Sequence, residues 1–96
     1  MRVVYHPAVQ RDVSRILRHY DDINNHLGDE FWEELNSFVA KAAANPQRFH
    51  FETRDRRRFN LRRFPYHFLF REIAGSIRIT VVRHHKQHPE RGIERR

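Results

Sequence analysis

The sequence has 96 residues, of which 39% are apolar and 32% charged, and it contains no cysteine. A chain of this size builds one core, which leaves no room for a separate cofactor domain. The absence of cysteine excludes disulfides, thiolate metal sites and a cysteine nucleophile. No apolar run is long enough to span a membrane, and the N-terminal residues lack the apolar core of a signal peptide. We therefore expect a single domain over residues 1–96 in a soluble, cytoplasmic protein.

Charge is distributed unevenly along the chain. Residues 1–47 contain five Lys or Arg and seven Asp or Glu, whereas residues 48–96 contain fourteen and five. The whole net charge of +7 therefore arises from the C-terminal half. Positive charge concentrated in this way is typical of a surface that binds a polyanion or an acidic protein.

The first half of the chain predicts a strand and two helices. A β-branched and aromatic run at residues 3–5 predicts the strand, and apolar residues at helical spacing over residues 9–20 predict the first helix. In that helix Arg11, Asp12, Arg15 and Arg18 are expected to point outward. Turn-forming residues at 21–28 predict a break, so the second helix should begin near Asp29 as N-cap. It should end at Asn45-Pro46, with an apolar stripe formed by Phe31, Leu35, Phe38, Val39 and Ala42.

The second half predicts three strands, at residues 58–63, 66–73 and 77–83, with a hairpin turn at 74–76. Alternation places Ile77, Ile79 and Val81 toward the helices, and Arg78 and Thr80 on the opposite face. Residues 87–96 contain Pro89 and Gly92 and are expected to form an irregular basic tail. The order is β-α-α-β-β-β, which predicts an α+β fold with a helical hairpin packed on an antiparallel sheet.

Arginines are concentrated around the first of these three strands. The chain has seventeen arginines and only two lysines, and six of the arginines lie between residues 54 and 63. The planar guanidinium matches phosphate or carboxylate geometry, and arginines interleaved with Phe59 and Phe64 suit single-stranded nucleic acid. The spacing of the two phenylalanines is that of a buried strand face, which favours a core role for them instead.

The eight histidines raise the question of metal binding or acid–base chemistry. Adjacent strand residues point to opposite faces, so His84 and His85 are poorly placed to share an ion, and we expect no metal or other cofactor. A histidine acting as general acid or base in phosphodiester cleavage is more plausible, with Arg62 and Arg83 holding the phosphate. His67 lies in the middle of a predicted strand, and its side chain could lie on either face of the sheet. The simpler alternative is that each histidine is a polar residue at the rim of the sheet.

Several motifs together resemble the RelE/ParE superfamily, the toxins of type II toxin–antitoxin modules. They are a leading strand ending in H-P-A, two helices ending at N-P, the run L-R-R-F-P-Y-H-F-L-F-R, and I-R-I-T-V-V-R-H-H-K-Q-H-P. The resemblance covers nearly the whole chain. It implies a small basic toxin that is held inactive by a cognate antitoxin, whose C-terminal segment wraps the toxin. Operator DNA would then be bound only through the antitoxin.

The superfamily divides by target, and the resemblance leaves two activities open. RelE-like members cleave mRNA on the ribosome with a basic set of side chains. By position that set falls on Arg58, Asn60, His67 and Lys86, with Arg62 nearby and His84 or His85 as an acid–base group. Asn60 and His67 replace a lysine and an arginine, and no aromatic residue follows Pro89, so the set is incomplete. ParE-like members instead inhibit DNA gyrase without catalysis, which this chain fits somewhat better.

The complete set of candidate site residues, which applies only to a nuclease, is Arg58, Arg62, His67, Arg83, His84 and Lys86. A third possibility from the composition alone is a non-toxic, basic nucleic-acid-binding module, whose binding would depend strongly on salt.

Overall fold

A computed structural model describes all 96 residues, and it confirms the predicted order of elements. The elements are β1 (Arg2–Tyr5), α1 (Val9–Ile23), α2 (Asn25–Ala44), a 3₁₀ turn (Pro46–Arg48), β2 (Arg57–Asn60), β3 (Tyr66–Ile73) and β4 (Ser76–His84). The four strands form one sheet in the order β1-β4-β3-β2, and the two helices pack against one of its faces. Neither helix combines the length and apolar character that a membrane crossing requires.

The sheet is mixed, so the prediction of a purely antiparallel sheet is wrong for one strand. β2, β3 and β4 pair antiparallel, but β1 pairs parallel with β4, in a register that joins Val3 to Ile77. The helical hairpin between β1 and β2 returns the chain to the far side of the sheet, where a parallel neighbour becomes possible. β2 is also shorter than predicted, because it ends at Asn60 and leaves Leu61 outside the strand.

The predicted break between the helices is wrong, because α1 runs to Ile23 and α2 begins at Asn25. Asn24 alone has extended backbone geometry, and its side-chain oxygen accepts a hydrogen bond from the N–H of His26 at 2.8 Å, which makes it the N-cap in place of Asp29. Gly28 then lies inside α2, where an added Cβ would overlap the carboxylate of Asp21. The tight hairpin therefore depends on the glycine that the sequence pattern assigned to a loop.

The core lies between the helices and the sheet and is rich in aromatic rings. The predicted stripe of α2 faces it, and Val9, Val13 and Ile16 of α1 complete it. Phe64 is buried against Phe31, with ring centroids 5.4 Å apart. Phe59 is half-buried and stacks on Phe49 at 4.3 Å. Both phenylalanines therefore pack in or against the core, as their spacing favoured, and neither is free to stack on a base.

A β-bulge in β4 corrects the predicted alternation. Leu69 pairs with Val81 while Phe70 pairs with Ile79, so Thr80 is an extra residue and its hydroxyl bonds the carbonyl of Leu69. Beyond the bulge the faces are exchanged, and Val82, not Val81, joins the core with Ile77 and Ile79. Val81 instead lies on the opposite face of the sheet, against Gly92.

The C-terminal residues are irregular, as predicted, but they are not a loose tail. They fold back over the face of the sheet that the helices leave open. The guanidinium of Arg95 bonds the carboxylate of Asp12 at 2.6 Å, and Arg56 bonds the backbone carbonyls of Ile93 and Arg95. Asp12 also accepts the N–H of Val82 at 3.1 Å. Asp12 is therefore buried, contrary to the prediction that it points outward, because it links α1, β4 and the C-terminal segment.

Candidate functional site

A cluster of basic side chains lies on the sheet face opposite the helices, where β2, β3 and the end of β4 adjoin. It comprises Arg58, His67, Arg83 and His85 together with the carboxylate of Glu52, and we call it the histidine–arginine cluster. Arg58 and Arg83 both bond Glu52, at 3.4 and 3.2 Å. His67 and Arg83 are almost fully buried, with exposed fractions of 1% and 2%. The strand register brings His67 and Arg83 together, because they are direct partners across β3 and β4.

Hydrogen bonds fix the tautomers of the two histidines in this cluster. The Nε–H of Arg83 donates to Nε2 of His67 at 2.8 Å, so the ring proton of neutral His67 lies on Nδ1. That Nδ1 lies 2.9 Å from Nδ1 of His85, to which it donates. The rings of His67 and His85 are nearly parallel, with centroids 5.1 Å apart. His85, which is exposed, therefore carries its own proton on Nε2.

The same environment keeps both histidines neutral. Burial, reinforced by the charges of Arg58 and Arg83, lowers the pKa of His67 to about 3. Burial and Arg58 also lower the pKa of His85. Burial lowers the pKa of Arg83, an effect that the charge of Glu52 opposes. Neutral rings next to two guanidiniums avoid the repulsion that two imidazolium ions would add.

Arg83 also anchors the C-terminal segment. Its Nη1 donates to the carbonyl oxygens of Pro89 at 2.7 Å and Arg91 at 2.9 Å, in addition to the bonds with His67 and Glu52. Arg58 is similarly engaged, since its Nε donates to Oδ1 of Asn60 at 2.7 Å and its Nη2 lies 3.3 Å from His85. The donors of both arginines are directed at groups within the protein, which is an arrangement suited to holding the fold.

The cluster therefore contains three of the six candidate nuclease residues, Arg58, His67 and Arg83, and the structure does not bring the other three to it. Arg62 is exposed in the loop between β2 and β3. His84 points to the helix side of the sheet, where its ring packs edge-to-face on Tyr66 at 4.9 Å. Lys86 is exposed, and its backbone N–H bonds Nδ1 of His84 at 3.0 Å. No group of three His, Asp or Glu side chains is placed to hold a metal ion.

Sequence reasoning missed Glu52, which balances part of the charge of Arg58 and Arg83. It is one of only five acidic residues in the C-terminal half and immediately precedes the arginine-rich segment, a signal that was available. The sequence motifs indicate His85 only as an alternative to His84. Strand alternation predicts that His84 and His85 lie on opposite faces of the sheet, but which face each one takes depends on the bulge at Thr80.

A separate apolar groove runs beside the helical hairpin and β1. It has a volume of about 500 Å³, and its walls include Tyr5, Val13, Leu17, Trp32 and Leu35. Tyr5 and Trp32 are 46% and 49% exposed, which is unusual for aromatic side chains in a small domain. An apolar groove of this kind suits an amphipathic segment of another chain.

The architecture can be compared with that of known proteins. No protein-family model and no curated protein matches the chain. Among solved structures, a chain described as "Chromosomal ParDE TA system from P. aeruginosa" superimposes with a TM-score of 0.77, over 88% of this chain and 95% of that one. The fold is RelE/ParE-like. Because the two sequences are 17% identical, the likeness concerns the ParE-like fold, and it agrees with the motifs that first indicated it.

Proposed function

We propose that this protein is the toxin of a type II toxin–antitoxin module, which inhibits growth and is neutralised by a cognate antitoxin. The observation that carries the proposal is the likeness of fold, which spans 95% of a chain from a ParDE toxin–antitoxin system. The sequence motifs support the same assignment independently, because they do not depend on the tertiary structure. The net charge of +7 suits a protein whose partner carries acidic segments.

The antitoxin would occupy the apolar groove beside α1. Its exposed Tyr5 and Trp32 offer aromatic anchors of the type that dominates the binding energy of protein interfaces. The outer edge of β1 adjoins this groove and would accept an added strand, because β1 pairs only with β4. Operator DNA would be bound through the antitoxin and not by the toxin itself.

Non-catalytic inhibition of DNA gyrase is the activity that the geometry supports best. Three of the candidate nuclease residues lie apart from the histidine–arginine cluster, and the guanidiniums within it are bonded to Glu52, Asn60 and backbone carbonyls. The transition state of phosphodiester cleavage is stabilised by free donors directed at its developing charge. An inhibitor that acts by binding needs only an exposed surface.

Cleavage of mRNA on the ribosome is the second candidate, and one observation favours it. The bonded pair of His67 and His85 lies beside two arginines, and His85 is the exposed member of the pair. In that case His85 would be the acid–base group and Arg58 would hold the phosphate. A basic nucleic-acid-binding module without toxicity is the remaining alternative.

Induced expression of the chain in bacteria, with and without candidate antitoxins from the same operon, tests the proposal. Growth arrest that a co-expressed antitoxin relieves is expected. Growth unaffected by folded protein would contradict a toxin of either kind. A Trp32→Ala variant should remain toxic but escape the antitoxin, whereas Trp32→Phe should stay neutralised.

A second readout in the same cultures separates the two targets. Gyrase-dependent DNA breaks with intact transcripts, and unchanged toxicity of His84→Ala and His85→Ala variants, are expected for gyrase inhibition. New 5′ ends within translated messages, abolished by His85→Ala or Arg58→Ala while folding is retained, would instead establish the nuclease. Purified protein that inhibits supercoiling by gyrase in vitro would identify the target directly.

A further inference from the structure

A second cleft lies on the helix side of the sheet, between α1, the end of β4 and the C-terminal segment. Its volume is about 460 Å³, within the range of clefts that bind small ligands. Its lining includes Arg15 and His19 from α1, His84 and Gln87 from the end of β4 and the turn after it, and Arg91 from the C-terminal segment. The histidine–arginine cluster is on the other face of the sheet, so the two are separate.

Four side chains of this cleft, those of Arg15, His84, Gln87 and Arg91, have hydrogen-bond donors without an acceptor in the protein. Of the ion pairs in the protein, none involves Arg15 or Arg91. Nδ1 of His84 accepts the N–H of Lys86, so the proton of the neutral ring is on Nε2. Oε1 of Gln87 accepts the N–H of His84 at 2.7 Å, which leaves its amide NH₂ as a donor.

The one carboxylate in the lining is already neutralised. Both oxygens of Asp12 bond Arg95, at 2.6 and 3.2 Å, and one also accepts the N–H of Val82. It therefore offers no counter-charge to Arg15 or Arg91. Two guanidiniums, an imidazole N–H and an amide NH₂ around one cleft, with no carboxylate free to pair with them, match a group that has several acceptor oxygens and a negative charge.

We propose that this cleft binds a phosphate group, and that the phosphate belongs to a nucleic-acid backbone. The surface beside the cleft favours a polymer over a free phosphate compound. Arg11, Arg15 and Arg18 recur at helical spacing along one exposed face of α1, and none of them forms an ion pair. Asp22 is the next residue at the same spacing, and Arg15, which lines the cleft, is the middle residue of this stripe. Successive phosphates of one strand would follow it, with Arg15 and Arg91 binding the phosphate at the cleft.

Binding of a short fluorescein-labelled single-stranded oligodeoxynucleotide to the purified chain tests the proposal. The Arg15→Gln/Arg91→Gln double variant is compared with the Arg2→Gln/Arg48→Gln double variant, which removes the same charge from exposed arginines elsewhere. The cleft variant should bind about tenfold more weakly or worse, and the slope of log K against log salt should be smaller by about 1.4, the value for two lost phosphate contacts with a single strand. Because these side chains form no bonds in the protein, circular dichroism spectra should be unchanged.

Titration of the ¹⁵N-labelled chain with inorganic phosphate and with AMP distinguishes the source of the phosphate. Shifts of the backbone amides of His84 and Gln87 that disappear in the Arg15→Gln/Arg91→Gln variant, without an effect on oligonucleotide binding, would support the phosphate site but assign it to a small ligand. Equal losses of oligonucleotide affinity in both double variants, with no amide shifts, would overturn the proposal. Neither readout depends on whether the protein arrests growth.

Discussion

Buried His67 accepts a hydrogen bond from Arg83 and is neutral in the folded protein, with its pKa lowered to about 3 by burial and neighbouring positive charge. In the unfolded chain a histidine binds its proton near pH 6.5. The unfolded state therefore binds more protons between these values. The contribution of His67 to stability is complete above about pH 6.5 and is lost as the pH falls toward 3.

Replacement of His67 by Gln should remove this dependence on pH. Between about pH 6.5 and 5 the free energy of unfolding should fall by as much as about 1.4 kcal/mol per pH unit for the unsubstituted protein, and by clearly less for His67→Gln. Urea unfolding at several pH values in this range measures the change of the free energy of unfolding with pH. Exposed His26→Gln is the matched control. A slope for His67→Gln equal to that of the control would show that His67 is not the group responsible.

Arg83 is expected to be a structural residue whatever the target of the protein. Arg83→Met would leave Nε2 of His67 and the carbonyls of Pro89 and Arg91 without their donor, and Glu52 with Arg58 alone, which costs about 3 kcal/mol for a buried charged residue. Exposed Arg62→Met should change the free energy of unfolding by less than about 0.5 kcal/mol. Urea denaturation compares the two, and similar values for both variants would contradict a buried anchoring role.

At the scale of elements, the C-terminal segment is held against β4 through Gly92. This residue has φ +82°, and a Cβ there would lie 2.7 Å from Cγ2 of Val81. Gly75, in the turn between β3 and β4, has a similar φ of +79° but open space around the position of a Cβ. The two glycines share the conformational penalty of substitution, and only Gly92 adds a clash.

Gly92→Ala should therefore destabilise the protein more than Gly75→Ala. We expect about 1 kcal/mol for Gly75→Ala from the left-handed backbone alone, and about 2–3 kcal/mol for Gly92→Ala, where the segment must also move away from Val81. Thermal denaturation measures both, and amide hydrogen exchange over residues 88–96 should increase only for Gly92→Ala. Equal losses of stability in the two variants would mean that the C-terminal segment moves away from Val81 without an energetic cost.

At the scale of the whole molecule, the helices cover one face of the sheet and the C-terminal segment covers part of the other. The buried ion pair of Asp12 and Arg95 joins this segment to α1. Removal of residues 88–96 would take away the ion-pair partner of buried Asp12 and the carbonyl acceptors of buried Arg56 and Arg83, so it should lower the free energy of unfolding by about 3 kcal/mol or more.

The matched control removes Arg96 alone, whose pair with Asp55 is largely exposed. Exposed pairs contribute about 0–1 kcal/mol, so this variant should unfold close to the full chain. Urea unfolding distinguishes the two truncations. If the chain without residues 88–96 were as stable as the full chain, the C-terminal segment would contribute nothing to the free energy of unfolding.

Most of the architecture could be predicted from the sequence, because helices and strands have different apolar periods. The stripe of α2 from Phe31 to Ala42, strand Tyr66–Ile73 and the stop at Pro46 are local patterns, and the structure confirms them. The errors fall where a distant contact outweighs a local signal. Turn-forming residues 21–28 are helical except at Asn24 because Gly28 allows α2 to approach Asp21. Asp12 is buried because Arg95 neutralises it from the other end of the chain.

The sequence by itself determined the fold class, the order of elements, the concentration of positive charge and the likeness to toxin–antitoxin toxins. Only the tertiary structure decided which basic residues meet. Strand alternation separates His84 from Arg83 and His85, and the bulge at Thr80 decides which face of the sheet each of them takes. Sequence periodicity fixes a side chain relative to its neighbours on one element. Whether Arg58, His67 and Arg83 share a site depends on strand register and on the path of the C-terminal segment, which are set by packing between elements.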